Sequence, residues 1–252
     1  MIRLHGLTKK YGGRAVVDNV SLAFPTGGIT SLIGANGAGK STLLHMTSRL
    51  VAPDAGRVEL DGRDIRTLDS MRVARHLAIL RQTNTITARL RVRELVEFGR
   101  YPYSRGRLTG EDREVVARAM HQMNLEHLAG RFLEQLSGGE RQRAFVAMVL
   151  AQETDYLLLD EPLNNLDLKH SVDMMSALRK VAGELDRTVL IVVHDINIAS
   201  AYSDRIVAMK DGRVVADGAP DDVVNPEQLA EIYGIDAEVH DIDGMRLAMY
   251  YR

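Results

Sequence analysis

The 252-residue chain is predicted to fold as an α/β protein on a mainly parallel sheet, with an antiparallel layer at its start and a helical block inserted later. Short β-branched or apolar runs recur at residues 29–33, 77–80, 156–159, 189–193 and 206–209. Runs this short and apolar on both faces suit strands buried in a parallel sheet. Helical patterns lie between them, at 41–48, 138–151 and 168–184, which gives the βαβ alternation. The composition, 45% hydrophobic and 26% charged, is that of a globular chain, and a chain of this size buries roughly 70–75% of its unfolded surface. Disorder, fibres and coiled coils are excluded.

In order, residues 2–7 and 15–24 read as strands around a Gly12-Gly13 turn, the antiparallel layer. The strand at 29–33 runs into glycines and the helix at 41–48. Residues from about 91 to 133 are helical in pattern with no buried-strand run, so a helical subdomain is expected over about 91–150 within a single domain of 1–252. The longest unbroken apolar run, 144–151, is far short of the roughly 20 residues that cross a bilayer. The opening Met1-Ile2-Arg3-Leu4-His5 has no secretory apolar core and the chain has no cysteine, so a cytoplasmic chain without disulfides is expected.

With 32 basic and 34 acidic residues the formal charge is −2, which gives no electrostatic case for nucleic acid. The sum hides a segregation. Residues 81–107 hold seven arginines (81, 89, 91, 93, 100, 105 and 107) against Glu94 and Glu97; residues 217–243 hold nine carboxylates and no Lys or Arg.

Gly34-Ala35-Asn36-Gly37-Ala38-Gly39-Lys40-Ser41 fits G-x-x-x-x-G-K-[ST], directly after an apolar strand and before a helical run. Glycines let such a loop curl until backbone N–H groups point at phosphate oxygens, and the following helix offers its positive end. Lys40 would reach the β- and γ-phosphates and Ser41 would bind Mg²⁺. A second strand ends in Leu159-Asp160-Glu161, which delivers two carboxylates to the ligand edge of the sheet. Asp160 suits the Mg²⁺ shell and Glu161 the attacking water. Alone, this pair reads as well as a helix cap before Pro162.

Leu136-Ser137-Gly138-Gly139-Glu140-Arg141-Gln142-Arg143 would by itself be a serine cap and glycine turn opening a helix. Between a phosphate loop and a downstream carboxylate pair, it resembles the LSGGQ-like signature of the ABC-type ATPases, and the resemblance covers essentially the whole chain. It implies a P-loop NTPase core with an inserted helical subdomain, and it assigns the remaining positions. Tyr11 matches the aromatic that stacks on adenine. Asn36, Gly37, Gly39 and Thr42 fall with Gly34, Lys40 and Ser41 in the nucleotide loop. Gln82 matches the glutamine that senses Mg²⁺ and water and faces the transport subunit. Asp167, in Asn164-Asn165-Leu166-Asp167, matches the loop that crosses to a second ATPase, and His194 the histidine that contacts the γ-phosphate. Taken singly, these would read as a core tyrosine, an exposed amide, a helix cap and a structural histidine.

In that family Ser137, Gly138 and Gly139 serve the nucleotide held by another copy. With one half-site of each kind, the chain is expected to work as a head-to-tail homodimer around two ATP. A phosphotransferase would have no use for the signature. ABC proteins of translation resemble tandem cassettes and those of DNA repair carry long insertions, neither of which is present. A transporter motor is left, seated peripherally on the cytoplasmic face of the membrane. It would act with integral permease subunits and, through them, an extracytoplasmic substrate-binding protein.

Residues 98–103 and 161–170, with the closing Leu247-Ala248-Met249-Tyr250-Tyr251, are similar to the iron(III)-siderophore and vitamin B12 importer ATPases, and Asn-Asn-Leu-Asp to the catecholate-siderophore members. Cobalamin or heme is the alternative cargo, and an exporter motor stands third. Glu140 in place of the commoner Gln, and Asn164-Asn165 in place of Ser-Ala, are departures expected to lie beside the catalytic groups. With so little sequence after the cassette, no regulatory C-terminal domain like that of some sugar importers is expected. The basic stretch is expected to meet the permease and the anionic leaflet, and the acidic stretch to face away.

Overall fold

The computed structural model describes residues 1–84, 86 and 88–251. The chain opens with β1 (Ile2–Tyr11), β2 (Arg14–Phe24), β3 (Ile29–Ile33), α1 (Lys40–Thr47), β4 (Ala55–Leu60) and β5 (Arg63–Asp64). Its middle runs through α2 (Ser70–His76), β6 (Leu77–Leu80), α3 (Val92–Phe98), α4 (Tyr101–Ser104), α5 (Gly110–Gln122), α6 (Gly138–Ala151), β7 (Tyr156–Asp160) and α7 (Leu168–Glu184). It closes with β8 (Thr188–Val192), α8 (Ile196–Tyr202), β9 (Arg205–Lys210), β10 (Arg213–Gly218), α9 (Pro220–Val223), α10 (Pro226–Tyr233), β11 (Glu238–Ile242) and β12 (Met245–Met249). These elements form two compact units, Met1–Leu68 with Thr188–Arg252, and Asp69–Arg187.

In the first unit, β2, β1, β4 and β5 make an antiparallel sheet in that order. Its second layer holds β10, β9, β3 and β8, in which β3 lies parallel to both β8 and β9. Every residue of β3 and β8 is buried, as strands covered on both faces require. The register pairs Leu32 with Val192, so Gly34 and His194, each two residues further on, leave the sheet at the same edge. In the second unit β6 and β7 are parallel, with Leu80 opposite Leu159. The same offset brings Gln82 and Glu161 out together.

Glycine and acidic residues place the turns. Asp61-Gly62, Asp211-Gly212 and Asp243-Gly244 all have positive φ at both residues and close the hairpins β4–β5, β9–β10 and β11–β12. This is the geometry that matches the right-handed twist of paired strands. Helix starts are capped by side chains: Thr109 on α5, Ser137 on α6, Asp167 on α7 and Asp195 on α8.

The strands at 29–33, 77–80 and 156–159 and the helices at 138–151 and 168–184 fall where the sequence pattern places them. The antiparallel β10 and the C-terminal hairpin were not foreseen from that pattern. Their residues are half-exposed and polar on one face, unlike the buried strands. One expectation about the basic stretch is corrected. Six of its arginines are exposed, but Arg100 is buried, with Nε on Asp112 Oδ1 at 2.9 Å and Nη1 on the Ala151 carbonyl at 3.0 Å. The apolar packing of α3, α5 and α6 draws it inward, where Asp112 neutralises it.

Candidate nucleotide site

The first unit carries the phosphate loop. Gly34 has φ 138° and Gly39 has φ 101°. A Cβ on Gly34 would run into the Met209 carbonyl and one on Gly39 into the Val16 carbonyl, so only glycine lets the loop lie this close to its neighbours. Lys40 opens α1 and is 4% exposed. Its Nζ donates to the carbonyls of Gly34 at 2.7 Å and Ala35 at 3.0 Å. The C=O and N–H of one peptide point in opposite directions. Holding those two carbonyls on the ammonium therefore turns the amides of Ala35 and Asn36 away from it. Ala35, Asn36 and Gly37 are exposed, and Ser41 and Thr42 are half-buried on the first turn of the helix. An exposed run of amides ahead of a helix N-terminus, with a lysine beneath, fits a polyphosphate.

On the same unit, His194 is exposed two residues after β8, where Asp195 caps α8 by accepting from Asn197 N at 2.8 Å and Ile198 N at 3.1 Å. Tyr11, at the end of β1, is 51% exposed and carries the Lys9 ammonium 5.6 Å from its ring centre. A face open to solvent is what base stacking needs.

The second unit carries the carboxylates. Asp160 is fully buried at the end of β7. Glu161 follows with φ 51°, a left-handed conformation that a glutamate rarely adopts and that costs of order 1 kcal/mol or more. The turn aims its side chain back along the sheet edge. Glu161 Oε2 accepts from Gln82 Nε2 at 2.6 Å and from Asn164 Nδ2 at 2.6 Å. Gln82 and Glu161 are thus brought into direct contact. Asn164, a departure from the family pattern and not one of the expected site residues, is their third member.

The signature segment opens α6. Ser137 N donates to Glu140 Oε2 at 2.8 Å and Ser137 Oγ accepts from Glu140 N at 3.2 Å, a reciprocal capping box. The Ser137 amide holds the Glu140 carboxyl below the usual range, with the Ser137 hydroxyl helping against the opposing effect of burial. A Cβ on Gly139 would meet Leu166 Cδ2 at 3.2 Å, and one on Gly138 would touch Asn165 Cβ at 3.4 Å. The signature glycines and the 164–167 loop therefore share one surface. Asp167 caps α7, accepting from His170 N at 2.8 Å, and that amide also lowers its carboxyl.

Among the described residues, no group of three or more His, Cys, Asp or Glu would hold a metal alone. Each on its own unit, the Ser41 hydroxyl and the Asp160 carboxylate are oxygen donors of the kind a hard Mg²⁺ takes. Among the described residues, no helix is long and apolar enough to cross a membrane.

Comparison with known proteins agrees with this geometry. The family model described as ABC transporter matches residues 17–164. The petrobactin import ATP-binding protein YclP of Bacillus subtilis is 49% identical over 251 residues, covering 100% of both chains. The ferric enterobactin transport ATP-binding protein FepC of Escherichia coli is 44% identical, covering 92% of this chain and 88% of FepC. The dimeric structure of MJ0796, a bacterial ABC transporter cassette, superposes with a TM-score of 0.79 at 33% identity, covering 87% of this chain and 99% of that one. With its phosphate loop, its paired carboxylates and its signature helix on an α/β cassette, the chain belongs to the ABC transporter family of ATPases.

Proposed function

We propose that the chain is the ATP-hydrolysing motor of an importer for ferric siderophores. The observation that carries the cargo is the likeness, over the whole chain, to ATP-binding proteins of petrobactin and enterobactin import. Residues 1–252 are read as one cassette with a helical subdomain at about 91–150.

Each half of the machinery has its own task. Tyr11 stacks on adenine, while Gly34, Asn36, Gly37, Gly39 and Thr42 wrap the phosphates. Lys40, poised on the carbonyls of Gly34 and Ala35, reaches the β- and γ-phosphates, whose charged oxygens hold an ammonium more strongly than neutral carbonyls do. Ser41, Asp160 and Gln82 hold Mg²⁺, which when bound neutralises charge on the β- and γ-phosphates. Glu161 orients the attacking water and takes its proton, its plane fixed by the two amides on Oε2. His194 contacts the γ-phosphate. Ser137, Gly138, Gly139 and Asp167 serve the nucleotide of a second copy, which makes the working unit a head-to-tail homodimer. The pair sits on the cytoplasmic face of the membrane against integral permease subunits, fed from outside by a substrate-binding protein.

The test is co-purification with the permease followed by uptake of labelled chelates. ATP-dependent uptake of ferric siderophores, abolished by Glu161→Gln, is expected. Uptake of cobalamin or heme in place of ferric chelates would reassign the cargo.

A further inference from the structure

In the first unit, the C-terminal segment reaches the phosphate loop. The hydroxyl of Tyr233, the last residue of α10, accepts a hydrogen bond from Gly34 N–H at 3.1 Å, across 199 positions of sequence. The carbonyl of the same glycine receives Lys40 Nζ at 2.7 Å. Both polar groups of residue 34 are therefore committed, one to the C-terminal helix and one to the ammonium. The Met209 carbonyl bars Gly34 on a third side.

The tyrosine is itself firmly held. Its ring packs against a buried cluster that joins Ile33, Ile196, Ala199, Leu229, Ile232 and Ala248. Asn225 caps α10 and Lys210 Nζ donates to the Glu231 carbonyl at 2.6 Å, which pins the helix to β9. Burial pushes the Tyr233 hydroxyl up to about 12, with the Asp195 carboxylate adding to it against the effect of the Gly34 amide. The group stays neutral at physiological pH.

The segment also grips the helix after His194. Asn197 Oδ1 accepts from Ala248 N at 2.8 Å and Asn197 Nδ2 donates to the Ala248 carbonyl at 3.2 Å, so a side-chain amide takes the place of a strand beside β12. Two C-terminal elements, α10 and β12, thus reach the loop that starts at Gly34 and the helix that follows His194.

We infer that Tyr233 is a positioning residue for the phosphate loop, its hydroxyl fixing Gly34 and with it the carbonyl on which Lys40 rests. A tyrosine that only stapled α10 to the sheet would act through its ring. The positioning role acts through its oxygen. The inference rests on the reading of residues 34–41 as the nucleotide loop.

Tyr233→Phe separates the two, since it keeps the ring and removes the acceptor. KM for ATP, and the Kd for a fluorescent ATP analogue, should rise about fivefold, the factor expected for one neutral hydrogen bond. The turnover number should stay within about twofold on the same grounds, since the hydroxyl touches no reacting atom. Ile232→Val thins the same core without touching the hydroxyl and should leave KM unchanged. An unchanged KM in Tyr233→Phe overturns the inference, and so does an equal rise in both variants, because packing would then set the affinity. Lys40→Ala identifies which reading fails. Wild-type ATP binding by that variant removes the nucleotide loop itself, whereas defective binding beside a normal Tyr233→Phe removes only the role of Tyr233.

Discussion

Asn164 and Glu161 are joined by a 2.6 Å hydrogen bond from the Asn164 amide to Glu161 Oε2, the oxygen that Gln82 also reaches. Two donors on one carboxylate oxygen fix its orientation. A hydrogen bond to a charged group is worth about 1.5–3 kcal/mol, so Asn164→Ala should lower the turnover number about tenfold, with KM for ATP little changed. Asn164→Ser keeps a donor and should lose less than about threefold by the same reckoning. Steady-state ATPase assays at saturating ATP decide it, and a wild-type rate for Asn164→Ala would leave the contact without a catalytic role.

Glu161→Gln preserves the side-chain shape and the strained backbone at φ 51°, and removes only the charge. It should bind ATP normally, hydrolyse it at least about a hundredfold more slowly, and accumulate as an ATP-bound dimer. Lys40→Ala should instead lose nucleotide binding. Filter binding and light scattering with ATP distinguish the two, and turnover at the wild-type rate by Glu161→Gln would take Glu161 out of the mechanism.

Glu140 places a negative charge in the first turn of the helix that is proposed to face the partner's phosphate. Its box with Ser137 stabilises α6, yet the carboxylate partly cancels the positive helix end. Glu140→Gln keeps an acceptor for Ser137 N–H and drops the charge. On the Glu161→Gln background, it should tighten ATP-driven dimerisation by about two- to fivefold, the range of helix-end charge effects of about 0.3–1 kcal/mol. Ser137→Arg should abolish dimerisation while ATP still binds the monomer. Analytical ultracentrifugation across an ATP titration reads both. Dimerisation by Ser137→Arg would contradict service to a second copy.

Much of this was written in local sequence. Residues 29–33 and 156–159 are short, mostly apolar runs buried on both faces, and the glycines of 34–39 and Gly138-Gly139 announce their loops. The Asp-Gly pairs at 61–62, 211–212 and 243–244 are equally local hairpin signals. The strand that follows each pair, β5, β10 or β12, is half-exposed and so lacks the uniform run that marks a buried one. Tyr233 and Asn197 were beyond reach of pattern, since their partners Gly34 and Ala248 lie 199 and 51 positions away. The Asn164 amide was legible only as a departure from a family motif. Its contact with Glu161 depends on the left-handed turn at 161, which propensity would not assign to glutamate.

Arg100 marks the limit of reading charge from composition. It sits among arginines that face solvent, yet it is buried over the Tyr103 ring at 4.3 Å and pairs with Asp112, which is also held by Thr109 N–H at 2.9 Å. Removing one partner of a buried pair leaves the other charged and uncompensated, at about 3–5 kcal/mol. Arg100→Ala should therefore lower unfolding free energy by about that amount, whereas Arg107→Ala, on an exposed residue, should stay within about 0.5 kcal/mol. The double variant Arg100→Met with Asp112→Leu should recover part of the loss, because apolar groups of similar volume remove both charges together while the Asp112 bond to Thr109 and the Arg100 bond to Glu153 are given up. Urea denaturation of the three variants provides the measurement. Equal stability for Arg100→Ala and Arg107→Ala would return Arg100 to the solvent-facing basic set, available to a permease loop or an anionic leaflet.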